Sequence, residues 1–171
     1  MSTVTHFRYH TETIGGVELE KPVRKRLHAI IHARIQRLLE TQLQGRSFQL
    51  LPALDMLCGP DRYLPDLTVG RKDAAYTNDI LDDAAFLTIE IMSPGQTVGA
   101  LFEKCEAYVQ HGTSFCWVIW PKRHQAWIYT RSAITEVFET AEQSLVAGNE
   151  VLSLSLPVRE LFASLPESNE D

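Results

Sequence analysis

Phe86-Leu87-Thr88-Ile89-Glu90-Ile91-Met92, the break Ser93-Pro94-Gly95 and the amphipathic run that follows it decide the fold. Seven mostly apolar residues ended by Pro-Gly read as a buried strand. The next run has apolar residues at 98, 101, 102, 105, 108 and 109. That three-and-four spacing predicts a helix over 98–111, stopped by Gly112. A strand over 114–120 comes next, so strand, helix and strand succeed one another as in an α/β sheet.

Working outward, Gly15-Gly16 between short half-apolar runs predicts a β-hairpin over about 7–19. Pro22 stands where a first helical turn would begin. Apolar residues at 23, 27, 30, 31, 35, 38, 39 and 43 then predict one long helix ending near Gly45. Strands are predicted over 48–57 and 63–69, and the polar segment 73–83 reads as a loop. A strand over 125–130 pairs around Pro121-Lys122-Arg123, and a weaker strand pair, 134–140 and 151–156, precedes a short helix over 158–163. The whole is an α/β fold, a central mixed β-sheet flanked by helices, with a single domain over 1–165 and a disordered acidic tail over 166–171.

The chain has 171 residues, 44% of them hydrophobic, enough for one packed core. No apolar run is long enough to span a membrane and the first residues lack a signal-peptide core, so a cytoplasmic location is expected. The net charge is −6, which argues against a general polyanion coat. Charge is nevertheless uneven: Lys21, Arg24, Lys25, Arg26, Arg34 and Arg37 form a run without an acid. Cys58, Cys105 and Cys116 show no metal-knuckle spacing and read as buried reduced thiols.

Two acids interrupt apolar strands, Asp66 in Tyr63-Leu64-Pro65-Asp66-Leu67-Thr68-Val69 and Glu90 in the run quoted first. Strand alternation puts Phe86, Thr88, Glu90 and Met92 on one face and Leu87, Ile89 and Ile91 on the other. An unpaired carboxylate in such a setting costs several kcal/mol or takes up a proton. Two carboxylates sharing a Mg²⁺ relieve that cost, because this hard cation accepts one or two protein carboxylates and leaves its other positions to water and phosphate. Strand-end acids facing solvent or paired with arginine are the plain alternative. Lys104 borders the apolar stripe of its helix and could reach over the sheet edge, or lie solvated on the surface. Arg24, Lys25 and Arg26, read as the first turn of the long helix, oppose its dipole and suit a polyanion contact; a solvated basic face is the alternative. His28 suits a hydrogen bond or a DNA contact, and no role is assigned to His32. Trp117, Trp120 and Trp127 suit core packing or a dimer face.

These motifs together resemble a known family. The order Tyr63–Val69, Ile89-Glu90-Ile91-Met92-Ser93-Pro94, Glu103-Lys104 with Tyr108, and His111-Gly112-Thr113-Ser114-Phe115-Cys116-Trp117-Val118-Ile119 is similar to the Uma-type putative restriction endonucleases of the PD-(D/E)xK nuclease superfamily. Glu12-Thr13-Ile14-Gly15-Gly16-Val17-Glu18, His28 and Leu156–Phe162 extend the resemblance to nearly the whole chain. It implies a restriction-endonuclease-like fold and a metal-dependent endonuclease acting on DNA. Asp66 and Glu90 would hold Mg²⁺ (or Mn²⁺), and Lys104 would complete the catalytic set. Arg24, Lys25, Arg26 and His28 would meet nucleic acid, with Glu12 and Tyr108 in support. Met92 stands where the superfamily pattern has its lysine, and Lys104 from the following helix matches the family's substitute for it. Ala100 and Trp120 replace acids common in relatives. A homodimer would suit double-strand cutting. A non-catalytic nucleic-acid-binding module that keeps the fold is the alternative, and a purely structural domain a third.

Overall fold

The computed structural model describes residues 10–167. A β-hairpin opens it, β1 (Thr11–Ile14) and β2 (Val17–Glu20), closed by Gly15-Gly16 with φ of 58° and 77°. A two-residue turn with both φ values positive matches the right-handed twist of the flanking strands, and glycine adopts it without a Cβ penalty.

Helix α1 is Arg26–Leu43. It starts three residues later than the apolar pattern predicts: Lys25 is its extended N-cap, and Val23 is 82% exposed. Its buried stripe is His28, Ile31, Ile35, Leu39 and Leu43, so a histidine takes the place that Leu27 and Val23 were expected to hold. Residues 21–25 are withheld from the helix because Lys21 and Arg24 reach sideways to acids described below.

The predicted strand over 48–57 is two strands in two sheets, β3 (Phe48–Pro52) and β4 (Met56–Cys58). Pro52 ends the first, and Ala53 turns the chain with a φ of 47°. The predicted strand over 63–69 divides the same way, into β5 (Asp61–Tyr63) and β6 (Leu67–Arg71), with Leu64, Pro65 and Asp66 as a buried connector. The segment read as a loop holds a small hairpin, β7 (Tyr76–Thr77) and β8 (Ile80–Leu81), turned by Asn78 and Asp79 at φ of 52° and 64°. Asn and Asp tolerate this left-handed turn, which a short polar stretch does not advertise.

Strand β9 (Leu87–Ile91), helix α2 (Val98–Gln110) and β10 (Phe115–Trp120) follow as predicted, β9 and β10 pairing in parallel. Thr97 caps α2, accepting from the Ala100 amide at 3.2 Å. Gly112 follows the helix at φ 99°, where an added Cβ would lie 3.0 Å from the Ala84 Cβ. Next come β11 (Gln125–Tyr129), β12 (Ile134–Val137), β13 (Ser144–Gly148), β14 (Ser153–Pro157) and α3 (Val158–Phe162). The expected late strand pair is not a pair: β12 joins β11, and β14 joins β13, a strand absent from the sequence reading.

The large sheet runs β12-β11-β10-β9-β6-β3 and the smaller one β2-β1-β5-β4-β8-β7. One core lies under α1, α3 and the β13–β14 hairpin, with Ile31, Ile35, Leu39, Leu87, Ile89, Ile91, Trp117 and Leu156 in it. The other lies under α2, with Met92, Cys105, Tyr108, Cys116 and Val118. Phe86 belongs to the first core, so it departs from the alternation expected to put it beside Glu90. The three cysteines are free and buried, as read from their spacing. Of the acidic tail expected over 166–171, residues 168–171 lie outside the described residues, as do residues 7–9 of the expected hairpin.

The register of α1 is open to direct test. Ile35→Ala should cost about 2–5 kcal/mol of unfolding free energy by denaturant titration, as deletions at sealed core sites do. Val23→Ala should change it by less than about 0.5 kcal/mol. Equal losses would restore Val23 to the stripe.

Candidate active site at the seam of two sheets

The chain crosses from the small sheet to the large one at residues 64–66, and Asp66 lies at that crossing, one residue before β6. Leu67 pairs with Ile89 in antiparallel register. The Ile91 amide therefore falls beyond the end of β6, and the Asp66 carboxylate takes over as its partner, Oδ2 accepting from it at 2.8 Å. Oδ2 also lies 3.2 Å from His28 Nε2. A carboxylate only accepts, so His28 donates through Nε2; its buried Nδ1 has no hydrogen-bond partner. His32, given no role above, donates through Nε2 to the Asp66 carbonyl oxygen at 3.3 Å and stacks on His28. Since that oxygen only accepts, His32 too carries its proton on Nε2 in this pair.

Glu90, 1% exposed, extends from β9 on the face toward α2. Its Oε1 accepts from the Tyr108 hydroxyl at 2.6 Å and lies 3.9 Å from Lys104 Nζ. Lys104 is anchored in turn by Glu12 Oε2 at 2.7 Å, while Glu12 Oε1 accepts from the Leu64 amide at 2.9 Å. Tyr108 is held edge-on against Tyr63, ring centroids 5.2 Å apart. Thus β1, the 64–66 connector, β9, α1 and α2 all contribute to the site, and the hairpin's single buried acid is the one that grips the lysine.

Two carboxylate oxygens are left over by this scaffold, Asp66 Oδ1 and Glu90 Oε2. Both face the ammonium of Lys21, at 3.4 Å and 3.7 Å. Lys21 also donates to the Leu64 carbonyl oxygen, and Arg24 lies 3.6 Å from Asp66 Oδ1. Lys21 was not among the residues expected at the site. Its only trace in the sequence is that it heads the acid-free basic run.

Electrostatics follow from these contacts. Burial alone would raise the Asp66 carboxyl, but the hydrogen bond from His28, the Lys21 charge and the Ile91 amide hold it well below the usual carboxylate range. Glu90 moves the other way, raised chiefly by burial despite Lys104 and Lys21. Burial works against the Lys104 ammonium, yet Glu90 and Glu12 keep it above the ordinary lysine value. Burial and Glu90 push the Tyr108 phenol up, so it remains a neutral donor.

Asp66, Glu90, Lys104, Glu12, Tyr108, His28 and Arg24 thus converge on one site. Lys25 and Arg26 do not reach the carboxylates; they line a neighbouring cavity of about 420 Å³ with Ser93, Trp120 and Lys122. His28 is 3% exposed and turned to Asp66, so of the two roles expected for it the structure shows the hydrogen bond. Arg24 belongs to the extended segment before α1, and Lys25 is its N-cap, so neither is in a first helical turn. Trp117 is core, its indole N–H donating to the Val146 carbonyl oxygen at 3.1 Å. A cavity of about 380 Å³ opens over Lys21, Arg24, His28, Asp66 and Glu90.

Among the described residues no group of three or more His, Cys, Asp and Glu side chains is arranged to hold a metal. The residues that could hold one are the Asp66–Glu90 pair. Its two uncommitted oxygens already converge on a single cation, and hard carboxylates suit Mg²⁺ or Mn²⁺.

The fold and this site define a restriction-endonuclease-like α/β protein. The chain belongs to the Uma2 family, described as putative restriction endonucleases, whose model matches residues 6–165. It is similar to the crystal structure of a putative nuclease belonging to DUF820 from Anabaena variabilis, with a TM-score of 0.75, 21% identity and coverage of 90% of this chain and 89% of that one. Comparison with curated proteins returns no match.

Because the folded Asp66 pKa lies below its unfolded value, the stability it contributes is present above about pH 4 and is lost as pH falls toward the folded value. The stability difference between wild type and Asp66→Asn, measured by urea titration, should therefore shrink between about pH 6 and pH 3. The comparison is made in a Glu90→Gln background, because the Asp66 charge helps to raise Glu90 and that opposing titration would otherwise differ between the two proteins. A gap that widens toward acid would contradict the assigned contacts.

Proposed function

We propose that this protein is a metal-dependent endonuclease that hydrolyses phosphodiester bonds of DNA. The observation that carries the reading is the convergence of Asp66 Oδ1 and Glu90 Oε2 on one cationic position beside the Lys104 ammonium. Family membership supports it. Asp66 and Glu90 would hold Mg²⁺, which, when bound, supplies a polarised phosphoryl oxygen and a water of lowered pKa.

The remaining work falls to the chain's own groups. The Ile91 amide and His28 hold Asp66 Oδ2, and Tyr108 holds Glu90 Oε1, so each carboxylate keeps one oxygen aimed at the cavity. Rigid aim is what lowers the reorganisation cost of a charged transition state. Lys104, fixed by Glu12, meets negative charge as it builds on the phosphoryl oxygens or orients the attacking water. Arg24, with its side chain 35% exposed at the cavity, neutralises a phosphate of the backbone. Lys25 and Arg26 extend that basic surface next door. The reducing cytoplasm is the location we favour, and three free buried cysteines are in keeping with it.

A second reading is favoured by one observation: with Lys21 between them, the two carboxylates are already compensated. On that reading the protein binds nucleic acid without cutting it.

Nicking of supercoiled plasmid in Mg²⁺ or Mn²⁺ separates the two. Wild type should cut, Asp66→Asn and Glu90→Gln should abolish cutting, and Lys104→Met should slow it about 10²–10³-fold, the loss typical of one transition-state charge partner. Salt-sensitive DNA binding without any cutting would establish the second reading instead.

A further inference from the structure

Three acids and three bases meet at the seam. Glu12, Asp66 and Glu90 carry three formal negative charges, and Lys21, Arg24 and Lys104 three positive ones. The two sets are not equally fixed. Lys104 projects from α2 onto Glu12. Lys21 and Arg24 come from one short segment between β2 and α1 that belongs to neither a helix nor a strand; Lys21 is tied at its start to the His10 and Leu64 carbonyl oxygens, and Val23 in its middle is 82% exposed. This segment contributes two positive charges, and both meet the oxygens that the scaffold leaves uncommitted.

We propose that residues 21–25 are a strap exchanged for a divalent cation. Lys21 and Arg24 together supply the charge of one such ion, so a divalent cation entering while they stay would leave the buried site with two surplus positive charges. Entry of the ion between Asp66 and Glu90 is therefore coupled to release of the strap. Release turns Lys21 and Arg24 toward the cavity mouth, where the chemistry that recognises them is an anionic phosphodiester. The strap thus keeps the carboxylates compensated when no metal is bound, and delivers two phosphate-binding groups when one is. By linkage, whatever weakens the strap strengthens the metal, by a factor that for such couplings is about 5–150-fold.

The inference rests on the reading of Asp66 and Glu90 as the metal-holding pair, and the experiment separates the two. Mn²⁺ is titrated by calorimetry into wild type, Lys21→Met/Arg24→Met and Asp66→Asn. Hydrogen exchange of residues 21–25 is followed in wild type with and without Mn²⁺. The strap variant should bind Mn²⁺ about tenfold or more tighter than wild type, Asp66→Asn should not bind it, and Mn²⁺ should speed exchange in residues 21–25. Unchanged affinity in the strap variant, with Asp66→Asn still inactive in binding, overturns the strap and leaves the metal pair standing. Undiminished Mn²⁺ binding by Asp66→Asn overturns both. Should the strap variant fail to fold, the exchange measurement on wild type decides alone: exchange that stays constant or slows when Mn²⁺ binds overturns the proposal.

Discussion

Everything at the seam depends on keeping two desolvated carboxylates ionisable inside a protein. Asp66 and Glu90 are both almost fully buried, and removing a paired partner from such a group typically costs about 3–5 kcal/mol. The fold answers with fixed dipoles and with cations. A strand-end amide, an imidazole and a phenol each hold one oxygen, and two ammonium groups and a guanidinium supply opposite charge. A core of this kind contributes little net stability compared with packed apolar residues of the same volume, so its upkeep points to chemistry and not to folding.

The architecture explains how residues so distant along the chain come together. Pro52 and Pro65 stand at two of the places where the polypeptide passes between sheets, and neither could sit inside a central ladder. The second crossing sets Asp66 at the end of β6 and beside Glu90 of the neighbouring strand. Helix α2, capped by Thr97, then lies over that strand so that residues one turn apart, Lys104 and Tyr108, both reach Glu90. The positions of acid, lysine and phenol are thus consequences of one strand–helix unit.

Much of this was legible before any coordinates. Periodicity located β9, α2 and β10, and the two misplaced acids in apolar surroundings marked the site. What the pattern could not reveal was tertiary in origin. Val23 fits a helical stripe, but the ion pairs of Lys21 and Arg24 draw the backbone away before the helix can begin. The runs 48–57 and 63–69 look continuous because each of their halves is apolar, and only a proline hints that they serve two sheets. Strand β13 escaped notice because Ser144 to Gly148 has two buried side chains, Leu145 and Ala147, and a weak alternation. His28 reads equally as a hydrogen-bonding or a DNA-contact residue until the stripe is seen to rotate inward, and Lys21 carries no motif at all.

The N-terminal hairpin has a consequence beyond its own small size. β2 is exposed along its full length, whereas β1 is tied to the rest of the protein by the Thr13–Arg62 register pair, by the Arg62 guanidinium donating to the Thr11 carbonyl oxygen at 2.9 Å, by Ile14 against the second core, and by Glu12. The seating of this unit is what sets Glu12 in place between the Leu64 amide and Lys104. Without Glu12 there, Lys104 would face Glu90 alone. The aim of a helix lysine is thus borrowed from a turn more than eighty residues earlier in the chain, where Gly15 and Gly16 fold the hairpin back on itself.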